Sequence, residues 1–244
     1  VRSSAASVVY KRQLHHLIGS RSLVWNLAKN DIKKKFAGSY FGVVWAFVQP
    51  VITVLLYWFV FEKGLNSKAT DLRTGIEIPF VLWLTAGLVP WFYFQEALNG
   101  GTGVLVEYSY LVKKVVFQID MLPVVKMISA LFTHLFFVAF TIVLFICMGY
   151  MPDWYALQVV YYSFCMILFA TGLVYATSAV TAFFRDMKEV VGILLQIGMW
   201  VTPIMWNFET MVQIPGWAIT VLKLNPMYYI CLLYLSLIHI SEPT

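Results

Sequence analysis

Residues 30–61 read NDIKKKFAGSYFGVVWAFVQPVITVLLYWFVF, and they carry the strongest structural signal in the chain. The segment 42–61 contains 20 residues and no charged side chain. As a helix it extends about 30 Å, which matches the hydrocarbon thickness of a bilayer. Pro50 lies inside this segment and predicts a kink. These residues therefore predict a membrane-spanning helix that directly follows a basic segment.

The composition of the whole chain agrees with a membrane protein. Of its 244 residues, 61% are hydrophobic, 17% are aromatic and only 12% are charged. The charged share is about half of that in a soluble domain. A soluble domain of this length has too little interior to bury so much apolar surface. The composition thus excludes an ordinary cytoplasmic enzyme, a disordered chain and a disulfide scaffold.

The segment that leads into the first span, residues 1–41, is basic and partly amphipathic. It holds eight Lys or Arg side chains and one acid, Asp31. Apolar residues recur at helical spacing over 22–36, while Lys and Asn occupy the other face. Such a helix lies in the membrane interface, against anionic headgroups. We favour membrane lipids over nucleic acid as its partner, because the basic block runs directly into a span.

Four more apolar segments predict four more transmembrane helices. They lie at about 79–99, 124–147, 156–183 and 190–206. Segments on the N-terminal side of the membrane then hold 13 Lys or Arg side chains and the opposite loops hold four, which places the N-terminus in the cytoplasm. We therefore expect an all-α membrane protein with an N-terminal amphipathic interfacial helix and five transmembrane helices, in which residues 42–230 form the transmembrane domain.

The last 14 residues, CLLYLSLIHISEPT (231–244), do not fit this pattern. The apolar stretch 227–240 extends only about 21 Å as a helix, which is too short to cross the membrane. The segment also resembles translated sequencing-adapter read-through. We expect that 231–244 is not native sequence and that the natural chain continues into a sixth span. A genuine short tail is the alternative.

The sequence lacks the common motifs of catalysis and cofactor binding. It contains no phosphate loop of the form G-x-x-x-x-G-K-S/T, no G-x-S-x-G and no H-E-x-x-H. Cys147, Cys165 and Cys231 lie singly in apolar runs, so we expect small buried side chains rather than metal ligands. We predict no catalytic, cofactor-binding or metal-binding residues in this chain, and no enzymatic activity.

An ordered set of segments resembles a known family. In addition to 30–61, the segments are LTAGLVPWFYFQEAL (84–98), GGTGVLVEYSYLVKKVVFQIDMLPV (100–124), FFRDMKEVVGILLQIGMWVTPIMW (183–206) and LNPMYY (224–229). Their order and their amino-acid sequences resemble those of the channel-forming permease of type-2 ABC transporters. Within that family the chain looks most like the exporters of lipid-linked polysaccharide, such as O-antigen, teichoic acid and capsule. The resemblance covers about residues 8–230, and the family has six spans.

The resemblance implies a multi-pass protein of the bacterial inner or plasma membrane. Two copies of this chain would form one channel for a lipid-linked glycan, and two copies of a separate ATPase subunit would drive it. The segment 100–123 and the turn after span four would contact the ATPase. The implied coupling residues are Glu107, Lys113, Lys114, Phe117 and Asp120, with Arg185 and Asp186 in the second turn. The alternatives are a solvated interfacial turn and a simple turn with a local ion pair.

Two further sets of residues are candidates for the transport path. Aromatic side chains could line the channel and stack on sugar rings, although interfacial belts are the alternative. These candidates are Trp45, Tyr57, Trp58, Trp91, Phe92 and Phe94. Ionisable residues within spans are costly and therefore informative. Glu96 and Lys126 lie at similar depth and could pair or reach the headgroups, and His134 lies near the membrane centre as a core or a pore residue.

Three other functions compete with polysaccharide export. An exporter of drugs or small lipids would share the same fold, and composition cannot separate these substrates. A membrane-embedded transferase acting on lipid-linked sugars would need clustered His, Asp or Glu side chains at one membrane face, which the sequence does not show. A non-catalytic scaffold would not require the structured segment 100–123.

Overall fold

The computed structural model describes residues 21–67, 69–70, 77–110, 119–150, 157–202, 204–205, 220 and 222–236. Helix α1 spans Arg21–Lys35. After the turn residues 36–41, a 3₁₀ turn Gly42–Val44, helix α2 Trp45–Trp58 and a π-helical turn Phe59–Gly64 follow one another without interruption. The remaining helices are α3 Phe80–Thr102, α4 Val104–Glu107, α5 Met121–Cys147, α6 Gln158–Phe183, α7 Met187–Val201 and α8 Pro226–Ser236.

The helices agree with a multi-pass membrane protein. Among the described residues, three helical stretches are long and apolar enough to cross a membrane: Gly42–Gly64, Met121–Cys147 and Gln158–Phe183. They coincide with three of the predicted spans. The other two predicted spans correspond to α3, which has 23 residues, and to α7, which has 15. The helical membrane class is thus confirmed, while the count of five spans and the cytoplasmic N-terminus stay predictions.

A short antiparallel strand pair interrupts the helical fold. Strand β1, Ala69–Thr70, pairs with β2, Glu77–Ile78, so that Ala69 lies opposite Ile78. The pair lies in the segment between α2 and α3, which the sequence predicts as a polar loop. The side chains of Ala69 and Ile78 are buried, which fixes this connection against the main core.

Helix α3 lies at the centre of the fold. Eighteen of its 23 residues are buried, because α2, α5, α6, α7 and α8 all pack on it. Glycines at helix crossings allow this close packing. A Cβ atom on Gly101 would lie 2.9 Å from Cγ2 of Val174, and a Cβ on Gly198 would lie 2.9 Å from the ring of Trp91. Helix α3 is therefore an internal element surrounded by its own chain.

The predicted interfacial helix is present as α1, but part of its apolar face is buried. Val24 and Ala28 pack against Met121 and Val125 at the start of α5. The hydroxyl of Ser129 donates a hydrogen bond to the carbonyl of Ala28, at 3.1 Å. Helix α1 is therefore docked on a transmembrane helix by side-chain packing, in addition to any contact with lipid.

The C-terminal helix α8 crosses residue 231, where the predicted non-native tail begins, and the origin of that tail stays a prediction. It continues past residue 231 to Ser236, and Cys231 and Tyr234 are buried in the main core. Its packing partners are α3 and α6. The predicted domain boundary at 231 therefore does not correspond to a break in the helix. Residues 237–244 lie outside the described residues. Of the three cysteines predicted to be buried, Cys231 is buried, Cys165 is half-buried and Cys147 is exposed at the end of α5, so the prediction is wrong for Cys147.

Candidate functional site

The two segments predicted to contact an ATPase lie side by side. A Cβ atom on Gly103, before α4, would lie 3.5 Å from Cδ of Lys188 in α7. A cleft of about 360 Å³ separates the two segments, with Val106 and Glu107 on one wall and Arg185 on the other. Tertiary packing thus brings Glu107 and Arg185 to one end of the helix bundle, although they are far apart in the sequence.

The remaining predicted coupling residues have different positions. Asp120 precedes α5, and its backbone carbonyl accepts a hydrogen bond of 2.7 Å from the hydroxyl of Tyr175. Asp186 precedes α7. Lys113, Lys114 and Phe117 lie outside the described residues.

A buried ionic cluster connects this end of the bundle to α1. The Lys126 ammonium lies 2.6 Å from Oδ1 of Asp31 and 2.9 Å from Oε2 of Glu107. The Tyr108 hydroxyl donates a hydrogen bond of 2.7 Å to the same Asp31 oxygen. The side chains of Lys126 and Asp31 are only 12% and 9% exposed. We call Asp31, Glu107, Tyr108 and Lys126 the lysine cluster, and it joins α1, α4 and α5.

Glu96 and Lys126, for which a mutual pair was one of two alternatives, do not bind each other in this structure. Glu96 instead pairs with Lys35 at the end of α1, at 2.7 Å. The physical reason is that α1 packs on α5, which places Asp31 beside Lys126 and Lys35 beside Glu96. The isolated Asp31 within a basic segment was the available sequence signal for this cluster. Burial and the neighbouring Asp31 carboxylate raise the pKa of Tyr108, so its hydroxyl remains a donor.

A cavity with a volume of about 650 Å³ adjoins the lysine cluster, and Asp31, Glu107 and Lys126 line part of it. Helices α1, α2, α3 and α5 form most of its walls, and Glu107 of α4 and Lys188 of α7 also line it. The side chains of Phe92, Gln95 and Glu96 enter it from α3, and Gln49 and Thr133 enter it from α2 and α5. We call this space the α3 cavity. Of the predicted channel aromatics, Phe92 lines it.

The other predicted channel aromatics occupy three kinds of position. Trp91 is 1% exposed and Phe94 is 6% exposed, because they pack against α7 and α6. Both rings therefore fill the interior of the chain, which does not fit the prediction that they line an open channel. Trp45 is exposed on α2. Tyr57 and Trp58 are half-buried, and the Trp58 indole donates a hydrogen bond of 2.7 Å to Glu62.

His134 is a core residue in this structure. It is 2% exposed, and its Nε2 atom lies 3.3 Å from the Ser163 hydroxyl and 3.4 Å from the Tyr234 hydroxyl. Ser163 and Tyr234 also share a hydrogen bond. This group joins α5, α6 and α8 inside the bundle, as expected for a hydrogen-bonded core histidine.

Comparison with known proteins identifies the class to which this architecture belongs. The chain belongs to the ABC-2 type transporter family, whose sequence model matches residues 22–238. The match confirms the resemblance to type-2 ABC permeases, and it extends past residue 231.

Three individual proteins are similar to this chain over most of its length. The chain is similar to the O-antigen export system permease protein RfbA of Myxococcus xanthus, with 25% identity over 216 residues, which cover 88% of this chain and 80% of that protein. It is also similar to two proteins of the same name from Klebsiella pneumoniae, each at 22% identity. Those alignments cover 80% and 88% of this chain, and 72% and 79% of the relatives.

Proposed function

We propose that this chain is the membrane-spanning channel subunit of an ATP-driven exporter of lipid-linked polysaccharide. The observation that carries the proposal is the likeness to O-antigen export permeases over 80–88% of the chain, together with the family match over 22–238. The cargo would be a glycan of the O-antigen, teichoic acid or capsule type. The chain would act as a homodimer in the bacterial inner or plasma membrane, with its N-terminus in the cytoplasm.

The cytoplasmic end of the bundle supports docking of a separate ATPase. Val106, Phe183 and Phe184 are exposed there, and Phe183 is 94% exposed. Arg185 and Glu107 lie beside them. Exposed apolar side chains with a charged rim are typical of a protein interface. We call these five residues the coupling surface, and two ATPase copies would dock on the two coupling surfaces of a dimer.

The lysine cluster offers a path from the coupling surface into the membrane. Glu107 belongs to both groups, and its carboxylate is bound to Lys126 at the start of α5. Lys126 is bound in turn to Asp31 of α1. A displacement of α4 by the ATPase would therefore move α1 and α5 together. Coupling of this kind usually depends on packed elements that have two stable arrangements.

Co-purification and export in cells test the proposal. The chain is produced with a phosphate-loop ATPase of an O-antigen exporter, in a host that lacks its own O-antigen permease. We expect the ATPase to co-purify with the chain and surface glycan to be restored. Val106→Asp should reduce the recovered ATPase at least tenfold, because it places a charge in a desolvated interface.

Leu65→Asp provides the matched control for this experiment. Leu65 is an apolar residue that is 65% exposed, compared with 41% for Val106, and it follows the C-terminal end of the first span. It should retain ATPase recovery. Equal recovery from both variants would contradict the coupling surface. If the chain binds the ATPase and transports a drug or small lipid but exports no glycan, the polysaccharide assignment is wrong and the chain is an exporter of small molecules.

A further inference from the structure

The α3 cavity has neutral polar side chains on three of its walls. On α3, Phe92, Gln95 and Asn99 are spaced three and four residues apart, so they share one helix face. Gln49 of α2 and Thr133 of α5 complete the set. Four of these five side chains carry amide or hydroxyl groups within helices that are otherwise strongly apolar. Polar side chains in membrane helices are costly and mark functional sites.

These four polar side chains are free to bind a ligand. In the part of the chain that the structure describes, the side chains of Gln49, Gln95, Asn99 and Thr133 have no hydrogen-bond partner within the protein. All four are at least partly exposed, so their donors and acceptors are accessible from the cavity. An amide offers two donors and one acceptor oxygen, which suits a ligand rich in hydroxyl groups.

Most of the charged side chains that line the α3 cavity have a partner. Lys35 binds Glu96 at 2.7 Å, and Lys126 binds both Asp31 and Glu107. Lys34 donates a hydrogen bond of 3.0 Å to the Tyr110 hydroxyl. Three carboxylates therefore lie around the same space as the lysines. Lys188 also lines the cavity and forms no ion pair among the described residues, so the cavity has one more lysine than carboxylates. The neutral amides and the hydroxyl are the remaining binding groups, and a glycan and a phosphate are therefore distinguished by the competition experiment below.

The size and the apolar wall of the cavity also fit a carbohydrate. Its volume of about 650 Å³ lies within the range of pockets that hold drug-sized ligands. The Phe92 ring is half-buried, with its edge contact to Phe137 on one side and the cavity on the other. A sugar ring has apolar faces of C–H groups that can pack on such a ring.

We propose that the α3 cavity is a saccharide-binding site, in which Gln49, Gln95, Asn99 and Thr133 bind the hydroxyl groups of a neutral glycan segment that packs on Phe92. The inference rests on the proposed function and adds to it a binding site within each protomer. Asp31, Glu107 and Lys126 of the lysine cluster line this site. Movement of α1 and α5 would therefore change its width.

Calorimetric titration of the purified full-length chain with its ATPase tests the site. The probe is the delipidated neutral oligosaccharide released by mild acid from the glycan that the chain exports in the host. Each lost hydrogen bond should weaken binding about 2–10-fold. The Gln95→Leu/Asn99→Leu variant, which loses the hydrogen bonds of two side chains, should therefore bind about 4–100-fold more weakly, and Thr133→Val, which keeps the side-chain shape, about 2–10-fold more weakly.

Gln158→Leu is the matched control, since Gln158 begins α6 outside the α3 cavity. It should bind the oligosaccharide as the unsubstituted chain does. Equal weakening in the control and the cavity variants would overturn the site, as would unchanged binding in Thr133→Val and the double variant. Competition of inorganic pyrophosphate with the oligosaccharide would also overturn it, in favour of a phosphate headgroup.

The outcomes separate this inference from the proposed function. If the unsubstituted chain restores glycan export and recovers the ATPase but the cavity variants export and bind as well as it does, only the saccharide site fails. If the unsubstituted chain neither recovers an ATPase nor restores export, the proposed function fails. Thermal melting of each variant shows whether it retains the fold, and Thr133→Val keeps the test valid if the double variant does not fold.

Discussion

Replacement of Lys126 by methionine tests the lysine cluster by a direct measurement of stability. The substitution keeps a long unbranched side chain and removes only the ammonium group. Asp31 is then left buried without a cation, and the Tyr108 hydroxyl is its remaining hydrogen-bond donor. Glu107 loses the same partner, but its side chain is 51% exposed and can be solvated by water. The cost therefore comes mainly from Asp31.

The burial of the pair sets the magnitude of the expected loss. Removal of one partner from a buried ion pair costs about 3–5 kcal/mol. Because Tyr108 still stabilises the carboxylate, we expect about 3 kcal/mol for Lys126→Met. For a chain of this size, 1 kcal/mol corresponds to a Tm shift of about 2–4 °C. The Tm of the purified protein should therefore fall by about 6–12 °C.

Lys35→Met serves as the matched control. Lys35 and Glu96 are separated by 2.7 Å, close to the 2.6 Å of the Lys126–Asp31 pair, but their side chains are 52% and 27% exposed. Pairs accessible to water contribute about 0–1 kcal/mol. The control should therefore lower the Tm by at most about 4 °C. Both values are obtained from tryptophan fluorescence during heating in the same detergent.

Comparison of the variants decides whether the reasoning holds. Equal losses in Lys126→Met and Lys35→Met would refute the claim that burial determines the energy of the pair. Addition of Asp31→Asn to Lys126→Met removes the stranded charge, so the double variant should be more stable than Lys126→Met alone. A further loss of stability in the double variant would refute the assignment of the cost to Asp31.

Two further predictions concern the packing around α3. Gly101→Ala should destabilise the protein by about 1–3 kcal/mol, because its new methyl group would overlap the side chain of Val174. Gly172→Ala is the control and should be neutral or stabilising, because its methyl group would meet no atom within 4 Å. A lower melting temperature for Gly172→Ala than for Gly101→Ala would contradict this contact. Tyr234→Phe removes the hydroxyl that is hydrogen-bonded to Ser163 and should lower stability by about 1 kcal/mol. Tyr229→Phe is the control and should change stability by less than about 0.5 kcal/mol, because Tyr229 is 49% exposed. Equal melting temperatures of the two variants would show that the hydrogen bond between Tyr234 and Ser163 does not stabilise α8.

Sequence and structure agree best where one helix is considered at a time. The uncharged run 42–61 corresponds to the continuous helical stretch Gly42–Gly64, and the apolar run 124–147 lies within Met121–Cys147. Helical spacing over 22–36 corresponds to α1. Each of these features depends on the length and periodicity of a local pattern, which the sequence contains in full.

Agreement is weaker where two distant side chains have to meet. Glu96 and Lys126 lie at similar depth, yet each binds a residue of α1 rather than the other. Trp91 and Phe92 are neighbours in the sequence, yet one fills the core and the other lines the α3 cavity. These outcomes depend on the rotation and tilt of each helix, which hydropathy does not encode.

The amino-acid sequence by itself determined the membrane class, the positions of the long apolar helices and the basic interfacial helix, because hydrophobic length and local periodicity act within single elements. The tertiary structure alone decided that Asp31 meets Lys126, 95 residues away, and that Gln49, Gln95 and Thr133 face one cavity. The physical reason is that helix packing, through close contacts such as that of Gly101 with Val174, selects which face each helix turns inward.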